Sequence, residues 1–318
     1  MNTDTTSPLH VVFGTGPLGL ATMHALVSKG LRVRMVNRSG RAAVPPEVEV
    51  VAGDAYSTDF TRHVTQGAAA VYQCAQPEYH EWVEKFPPMQ AAILDGAATN
   101  GAKLILAENL YMYGDTDGKT MHEGLPYTAH TRKGKVRAQM SQTALQAHQA
   151  GKVRVAMARG SDFFGPAVLG SALGERELYP LLAGKQVSGL ANIDAPHSYT
   201  YINDFGTALA TLGTDDRALG QAWHVPNAPT MTTRQILTLF FEEAGLPPKI
   251  GSMSPLVLRI GGLFIPAARE VIEMLYEFQK PFVVDSTKFE RAFGIQATPI
   301  RDAIKPTLAW YKANPHKG

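Results

Sequence analysis

Apolar runs of strand length alternate with segments of helix length through the first half of the chain. The predicted strands cover 9–13, 31–36, 48–51, 68–74, 103–107 and 153–158. Most of these runs are apolar at consecutive positions, which is typical of strands buried on both faces of a parallel sheet. The segment 17–29 is predicted to be the first helix, and Gly30 is its C-terminal stop. Helices between parallel strands, with right-handed crossovers, give an α/β fold with a doubly wound parallel sheet.

The pattern loosens after about residue 165. The later elements predicted are a β-type run at 198–202, a helix at 205–212, a strand at 221–225, a helix at 232–244 that starts after Thr230-Met231, and a helix over 256–280 interrupted by Gly261-Gly262 and Pro266. We therefore predict two domains. The first spans 1–165 and is completed by about 198–226, and the second is a smaller, mostly helical part formed by 166–197 and 227–318.

Composition narrows the class of protein. The chain has 318 residues, 45% of them hydrophobic, and 30 Lys+Arg against 28 Asp+Glu, a net charge of +2. This balance argues against disorder and against a nucleic-acid partner bound through its phosphates. Residues 1–8 lack the pattern of a signal peptide, and the apolar stretch 256–268 is too short to span a bilayer. We expect a soluble, cytoplasmic protein that has no membrane partner.

A glycine-rich turn lies between the first predicted strand and the first predicted helix. It reads Gly14-Thr15-Gly16-Pro17-Leu18-Gly19, which is GxGxxG. The first glycine allows a tight turn, the second lets the backbone approach a pyrophosphate, and the third lets the helix pack close to the strand. The N–H groups at the helix start favour the phosphates. The position of this motif predicts a dinucleotide-binding domain of the Rossmann type, and an ordinary strand-to-helix turn is the alternative.

The end of the second predicted strand bears on the choice of dinucleotide. An NAD enzyme places an acid there, about 20 residues after the glycine loop, to accept from the ribose 2′-OH. This chain has Asn37 and Arg38, with Arg41 close behind. Guanidinium groups bind phosphate through bidentate hydrogen bonds, so we predict NADP rather than NAD; a solvated loop is the alternative. After the third strand, Asp54, followed by Ala55, either accepts from the adenine amino group or forms a turn.

Together with the glycine loop, several later runs resemble the extended short-chain dehydrogenase/reductase superfamily, of the NAD-dependent epimerase/dehydratase type. Residues 104–114 look like the strand that carries the family's Ser/Thr and ends in Tyr-Gly, and 159–166 are similar to its Arg-Pro-x-x-x-Tyr-Gly-Pro run beside the nicotinamide. Residues 197–204 resemble its Arg-x-Phe-x-Tyr-Val-x-Asp segment, and 221–226 the strand that follows. The resemblance implies a nicotinamide dinucleotide and places Arg159 beside it.

The resemblance also implies a set of catalytic positions, Ser/Thr and Tyr-x-x-x-Lys. In that family the lysine lowers the pKa of the tyrosine and holds the nicotinamide ribose. The best alignment places Lys135 at the lysine, Thr131 at the tyrosine and Asn109 at the Ser/Thr. A threonine hydroxyl is a far poorer acid than a phenol, and an asparagine amide does not titrate. A solvated basic turn is the alternative for Lys135, and an N-cap of a helix starting at Arg132 is the alternative for Thr131.

If hydride transfer occurs, another group must then supply the proton. Tyr111, Tyr113 and Tyr127 flank the expected site, and we rank Tyr111 or Tyr127 first, with a packing role as the alternative for each. The sequence predicts an NADP(H)-binding oxidoreductase or epimerase/dehydratase-like enzyme that acts on a small carbonyl or hydroxyl substrate. The alternative is a catalytically reduced NADP(H)-binding sensor or regulatory protein, since such a protein needs the glycine loop but no proton donor.

The end of the fourth predicted strand is expected to pass the cofactor. There Cys74, Ala75 and Gln76 follow one another, and we interpret Cys74, the only cysteine, as a small buried hydrophobe. The next helix carries Trp82 and Phe86 with Pro87-Pro88, which indicates either a homodimer interface or a core stripe. No metal site is expected, because the histidines include no pair spaced two or four apart.

Overall fold

The computed structural model describes residues 7–257 and 272–315. Its central sheet consists of the strands β1 (Leu9–Phe13), β2 (Arg32–Asn37), β3 (Glu49–Ala52), β4 (Ala68–Gln73), β5 (Lys103–Glu108), β6 (Arg154–Arg159) and β11 (Ala222–His224). Their order across the sheet is β11-β6-β5-β4-β1-β2-β3. Every neighbouring pair is parallel. The predicted α/β fold with a doubly wound parallel sheet is confirmed.

The strand order reverses at β1. This strand pairs with β2 on one side and with β4 on the other, so the chain builds the sheet outward from β1 in both directions. In open sheets of this kind, ligands bind outside the carboxyl ends of the strands at the point of reversal. The residues that follow β1, β2 and β4 are therefore the ones to inspect for a binding site.

The helices connect and cover these strands. They are α1 (Pro17–Ser28), α2 (Thr58–Val64), α3 (Trp82–Thr99), α4 (Arg132–Gln149), α5 (Glu175–Leu182), α6 (Ile202–Thr214), α7 (Thr233–Glu243), α8 (Thr287–Phe293) and α9 (Ile300–Ala313). The remaining strands are β7 (Asp162–Phe164), β8 (Val187–Leu190), β9 (Pro196–His197), β10 (Tyr199–Tyr201), β12 (Met231–Thr232) and β13 (Ile250–Met253). They form three small sheets, in which β7 pairs with β10, β8 with β13 and β9 with β12.

The described residues form two compact units. The first runs to Met112 and adds Lys133–Gly160 and Phe205–Val225, so it contains the whole central sheet. The second comprises Tyr113–Arg132, Ser161–Asp204 and the described residues from Pro226 onward, so it contains the three small sheets. Both units are built from several separate stretches of the chain.

The core of the first unit explains why the strand sequences are apolar at consecutive positions. Side chains of β1, β4, β5 and β6 pack with those of α3 in one cluster, which includes Val11, Phe13, Val71, Ile93, Leu104 and Val155. The opposite face of the sheet is buried as well, since Val12, Met35 and Ile105 are fully enclosed. A strand with covered neighbours on both faces cannot alternate apolar and polar residues.

Three predicted elements differ from the structure. The helix predicted at 205–212 is longer, since α6 runs from Ile202 to Thr214. Helix α7 starts at Thr233, because Thr232 caps it: the Thr232 hydroxyl accepts from the Gln235 N–H and the Gln235 amide oxygen accepts from the Thr232 N–H. The predicted bounds 232–244 therefore lie within one residue of the observed ones, but the start signal is Thr232 and not Thr230-Met231. Most of the predicted helix over 256–280, with Gly261-Gly262 and Pro266, lies outside the described residues, and its described end contains a 3₁₀ turn at Leu275–Phe278.

Within the described part of the chain, no helix combines the length and the apolar character that a membrane crossing requires. The predictions made for 1–6 and for most of 256–268 lie outside the described residues.

Candidate cofactor-binding site

The glycine loop joins β1 to α1 and lies at the point where the strand order reverses. Gly14 has a φ of +105°, and its N–H donates to the Val36 carbonyl oxygen at 2.9 Å. A Cβ at Gly14 would lie 2.8 Å from the Ala75 nitrogen. Gly14 is thus required twice, by the backbone conformation and by the close approach of the chain after β4.

The other two glycines of the loop have different surroundings. A Cβ at Gly19 would overlap the Gly14 carbonyl oxygen, so helix α1 can pack against the strand only with glycine there. A Cβ at Gly16 would meet nothing within 4 Å, and Gly16 has an ordinary φ of −73° as the N-cap of α1, which no side chain caps. The protein itself therefore does not require Gly16 to be glycine, whereas a ligand lying against the helix start would.

Asn37 organises the loop that follows β2. Its amide nitrogen donates to the Thr15 hydroxyl and to the Arg41 carbonyl oxygen, both at 2.8 Å. Its amide oxygen accepts from the N–H groups of Ser39 and Gly40. An aspartate could not donate the first two bonds. Asn37 ties this loop to the glycine loop and leaves Arg38 exposed at its tip.

A cavity of about 520 Å³ opens beside the carboxyl ends of β1, β2, β3 and β4. It is lined by seven residues that the sequence predicts to bind cofactor, namely Gly14, Asn37, Arg38, Asp54, Ala55, Ala75 and Gln76. The other lining residues are Phe13, Val36, Gly53, Tyr56, Pro77, Glu78, Glu81, Lys85, Pro88 and Met89. The volume and the mixture of apolar walls with a few polar groups are typical of a small-molecule site.

The other residues that the sequence predicts to bind cofactor do not line the cavity. Thr15, Gly16, Pro17, Leu18 and Gly19 form the glycine loop and the start of α1, next to the cavity-lining Gly14 in the chain. Asp54 is one of the residues that line the cavity. Its carboxylate also accepts from the Tyr56 N–H at 2.9 Å, so it has the turn-forming role that was the alternative to cofactor binding.

Cys74 follows β4 and is held against α1. Its N–H donates to the Phe13 carbonyl oxygen at 3.0 Å, and its thiol lies 3.6 Å from the Thr22 hydroxyl. Burial raises the pKa of the Cys74 thiol to about 12, and its hydrogen bond with the Thr22 hydroxyl acts in the opposite direction. The thiolate is the nucleophilic form of cysteine, so this environment argues against a nucleophilic role.

Two tyrosines that follow β4 and β5 are hydrogen-bonded to each other, and a buried lysine of α4 packs against the ring of one of them. The hydroxyls of Tyr79 and Tyr111 are 3.1 Å apart, and the Lys133 ammonium nitrogen lies 4.4 Å from the centre of the Tyr79 ring. Lys133 is only 2% exposed. Trp82 packs against both tyrosine rings, at centroid distances of 5.0 and 6.0 Å. We call Tyr79, Trp82, Tyr111 and Lys133 the tyrosine–lysine cluster.

Asn109 supports this cluster, since its amide oxygen accepts from the Tyr111 N–H at 3.3 Å. Lys135 lies on the exposed side of α4. The resemblance to the family points to Lys135, and Lys133 and Tyr79 are not among the catalytic residues predicted from the sequence. The helical period offered a signal: Lys133, Arg137, Met140 and Ala144 share one face of α4, and all are buried.

The second unit contains the other predicted catalytic residues. Thr131 is buried directly before α4, which starts at Arg132 as predicted, and its hydroxyl lies 3.6 Å from the Met274 sulfur. The rings of Tyr113 and Tyr127 are in edge contact at 6.0 Å. The Tyr113 carbonyl oxygen accepts from the Thr128 hydroxyl at 2.6 Å. The catalytic roles of Thr131, Tyr127 and Lys135 stay predictions.

Arg159 takes part in a buried ion network at the ends of β5 and β6. Its Nε donates to the Glu108 carboxylate at 2.9 Å, and neither side chain is exposed. The Ser141 hydroxyl accepts from Arg159 at 2.8 Å and donates to Glu108 at 3.3 Å. Arg137 lies 3.9 Å from the same carboxylate, and burial lowers the pKa of its guanidinium while the charge of Glu108 raises it. Contact of Arg159 with a cofactor stays a prediction.

Trp82 and Phe86 are buried in the first unit, where they pack with Val136 and Met140. Of the two predicted roles, a core stripe and a homodimer interface, the core stripe accounts for the burial of both side chains within one chain. Among residues 7–257 and 272–315, no group of three or more His, Cys, Asp or Glu side chains could hold a metal ion.

Comparisons with known proteins agree with this architecture. Residues 11–225 match the model of the NAD dependent epimerase/dehydratase family. No curated protein matches the sequence. Similar solved structures include epimerase Mth375 from Methanothermobacter thermautotrophicus, with 14% identity, a TM-score of 0.81 and coverage of 97% of this chain and 93% of the other.

Two further solved structures show the same fold. UDP-N-acetylglucosamine 4-epimerase from Bacillus cereus has 12% identity and a TM-score of 0.79, and the match covers 98% of this chain and 99% of the other. The DesIV double mutant, a dTDP-glucose 4,6-dehydratase from Streptomyces venezuelae with NAD and DAU bound, has 16% identity, a TM-score of 0.76 and coverage of 96% and 97%. The family match spans two thirds of the sequence and includes the glycine loop and the central sheet except for the first two residues of β1. This chain belongs to the NAD dependent epimerase/dehydratase family.

Proposed function

We propose that this protein is an NADP(H)-dependent oxidoreductase or epimerase/dehydratase-like enzyme acting on a small carbonyl or hydroxyl substrate. The observation that carries the proposal is the cavity beside the glycine loop, at the carboxyl ends of four parallel strands. Gly16 also supports it, because a Cβ there would meet no protein atom within 4 Å, which leaves the start of α1 open to the approach of a pyrophosphate. Fluorescence titration of a Gly16→Ala variant with NADPH tests the proposal, and loss of binding is the expected result.

The residues after β2 support NADP over NAD. Asn37 occupies the position of the acid that would accept from a ribose 2′-OH, and its side chain is fully used in the loop. Arg38 lines the cavity and is exposed at the loop tip. A guanidinium beside the ribose would bind a 2′-phosphate, and no carboxylate from β2 repels it.

Replacement of Arg38 by serine is expected to raise the Kd for NADPH roughly 10- to 100-fold, the loss of a hydrogen bond to a charged group. The Kd for NADH should change little, because NADH has no 2′-phosphate. Fluorescence titration with both dinucleotides measures the two constants. Arg62→Ser is the matched control, since Arg62 pairs with Asp95 and does not line the cavity. Equal losses for NADPH and NADH would contradict the assignment.

The tyrosine–lysine cluster supports an enzyme rather than a binding protein. NADP(H), when bound, supplies a hydride donor or acceptor. The Tyr111 and Tyr79 hydroxyls are hydrogen-bonded to each other. The tyrosine that donates a proton to the substrate can therefore take a proton from the other tyrosine. Lys133, buried against Tyr79, provides a positive charge that stabilises a phenolate. These three residues would replace the Tyr-x-x-x-Lys set that the sequence lacks.

Lys133→Met is expected to lower kcat about 100-fold, while Lys135→Met leaves it unchanged. The two lysines lie on the same helix, and Lys133 is buried whereas Lys135 is exposed. Each variant therefore serves as the control for the other. NADPH oxidation across a panel of aldehydes and quinones measures turnover, and Tyr111→Phe and Tyr127→Phe compare the two ranked tyrosines. The reverse result for the lysines would instead support the alignment with Lys135.

A sensor is the second candidate function. The observation that favours it is the pair of altered positions, since Thr131 is buried beside Met274 and Asn109 holds a backbone turn. Tight NADPH binding by the wild-type protein without turnover on the panel would support the sensor.

A further inference from the structure

Three charged side chains from two separate elements line the cavity. Arg38 follows β2, whereas Glu81 and Lys85 belong to the start of α3. The Lys85 ammonium nitrogen lies 2.5 Å from a Glu81 carboxylate oxygen, one helical turn away. This ion pair was not singled out by the sequence, and the proposed binding of NADP(H) does not yet use it.

The charges of these side chains act on one another. Hydrogen bonding to Lys85 lowers the pKa of Glu81, and the charge of Arg38 contributes in the same direction. Burial raises the pKa of Tyr56, which also lines the cavity, and the charges of Lys85 and Arg38 oppose that shift. Arg38, Tyr56, Glu81 and Lys85 all line the same cavity, so a charged ligand in it would meet both cations and the Glu81 carboxylate.

We propose that Lys85 is a second cation for the 2′-phosphate of NADP(H), and that Glu81 competes with this phosphate for Lys85. The inference rests on the proposed function, because it assigns the adenosine end of the dinucleotide to this cavity. It adds a specificity-determining pair on α3 to the arginine after β2.

The competition follows from the exposure of the pair. The Lys85 side chain is 49% exposed and that of Glu81 is 29% exposed, and ion pairs with this exposure are weak, because water screens them. A phosphate monoester carries about −1.5 to −2 charges at neutral pH, against −1 for a carboxylate. Lys85 therefore gains by exchanging Glu81 for the phosphate, while the Glu81 carboxylate repels that phosphate.

The two substitutions have opposite expected effects. Lys85→Met should weaken binding of a 2′-phosphorylated ligand roughly tenfold, which corresponds to one hydrogen bond to a charged group. Glu81→Gln should strengthen it severalfold, because the amide neither repels phosphate nor holds the ammonium as an ion pair. A ligand without the 2′-phosphate should bind all variants with the same affinity, because it has no group that interacts with the charge of Lys85 or Glu81.

The experiment uses 2′,5′-ADP and 5′-AMP, which differ by the 2′-phosphate alone, and isothermal titration calorimetry at about 50 mM salt to limit screening. Matched controls are Lys152→Met and Glu47→Gln, which change the same charges at exposed positions that do not line the cavity. Thermal unfolding of each variant confirms that it is folded. The expected result is a change for 2′,5′-ADP alone, downward for Lys85→Met and upward for Glu81→Gln.

The outcomes separate this inference from the proposed function. If both ligands bind but neither substitution changes the ratio of their affinities beyond the controls, the inference is wrong and the cofactor site stands. If Glu81→Gln weakens 2′,5′-ADP binding, Glu81 helps to bind the phosphate and does not compete with it, which also overturns the inference. If the wild-type protein binds neither ligand, the proposed function fails and the inference fails with it.

Discussion

Alanine at position 16 is expected to weaken NADPH binding on the order of 100-fold, equivalent to about 2.7 kcal/mol. Gly16 is the N-cap of α1, and its φ of −73° suits any residue. A Cβ at this position meets no protein atom within 4 Å. The added methyl group would occupy the space in which a pyrophosphate approaches the backbone, so the loss would fall on the ligand.

The same substitution is expected to change the free energy of unfolding by less than about 1 kcal/mol, since the N-cap loses no side-chain hydrogen bond. Gly170→Ala is the matched control, because a Cβ there also meets nothing within 4 Å and the position has no positive φ. NADPH fluorescence titration and urea unfolding measure the two quantities. A folded Gly16→Ala protein with wild-type NADPH affinity would place the pyrophosphate elsewhere and contradict the proposed site.

Glutamine at position 108 is expected to lower the free energy of unfolding by about 3–5 kcal/mol. Glu108 has no exposed side-chain surface and is the carboxylate to which both buried arginines, Arg159 and Arg137, are paired. Even with Glu108 ionised, this network has one more positive than negative charge. Removing the carboxylate leaves two buried guanidinium groups without an anion in the network, which costs more than the loss of one hydrogen bond.

Urea unfolding monitored by circular dichroism measures this loss. Glu49→Gln is the control, because Glu49 also pairs with an arginine, Arg34, but is 54% exposed and should contribute less than about 1 kcal/mol. Ser141→Ala is a milder change in the same network, expected to cost about 1–2 kcal/mol. A loss below 1 kcal/mol for Glu108→Gln would mean that water or structural relaxation solvates the arginines.

The architecture of the first unit was largely predictable from the sequence. Each of the six strands predicted in the first half begins and ends within one residue of its observed bounds. The reason is physical: a strand buried on both faces needs consecutive apolar residues, and glycines or polar turns must interrupt them. The cap of α7 was missed by a residue or two, because Thr230 and Thr232 offer the same hydroxyl and only the backbone conformation selects Thr232.

The glycine loop was equally predictable, because its conformation depends on residues that are close together in the chain. Gly14, Gly16 and Gly19 are confined to one turn, and Asn37 with Arg38 follows the neighbouring strand. The sequence showed that position 37 is an asparagine and not an acid, but it did not show why. The structure shows that the amide donates to Thr15 and Arg41, two bonds that an aspartate cannot make.

The sequence by itself determined the order of strands and helices, the glycine loop and the absence of an acid at the end of β2, since each follows from local spacing and side-chain chemistry. Tertiary structure alone decided which residues meet across that spacing. It buried Lys133 instead of Lys135, brought the hydroxyls of Tyr79 and Tyr111 together, and enclosed Arg159 with Glu108. These contacts join residues 32 to 54 positions apart, and such pairs are selected by packing and by the cost of burying an unpaired charge, which no local pattern records.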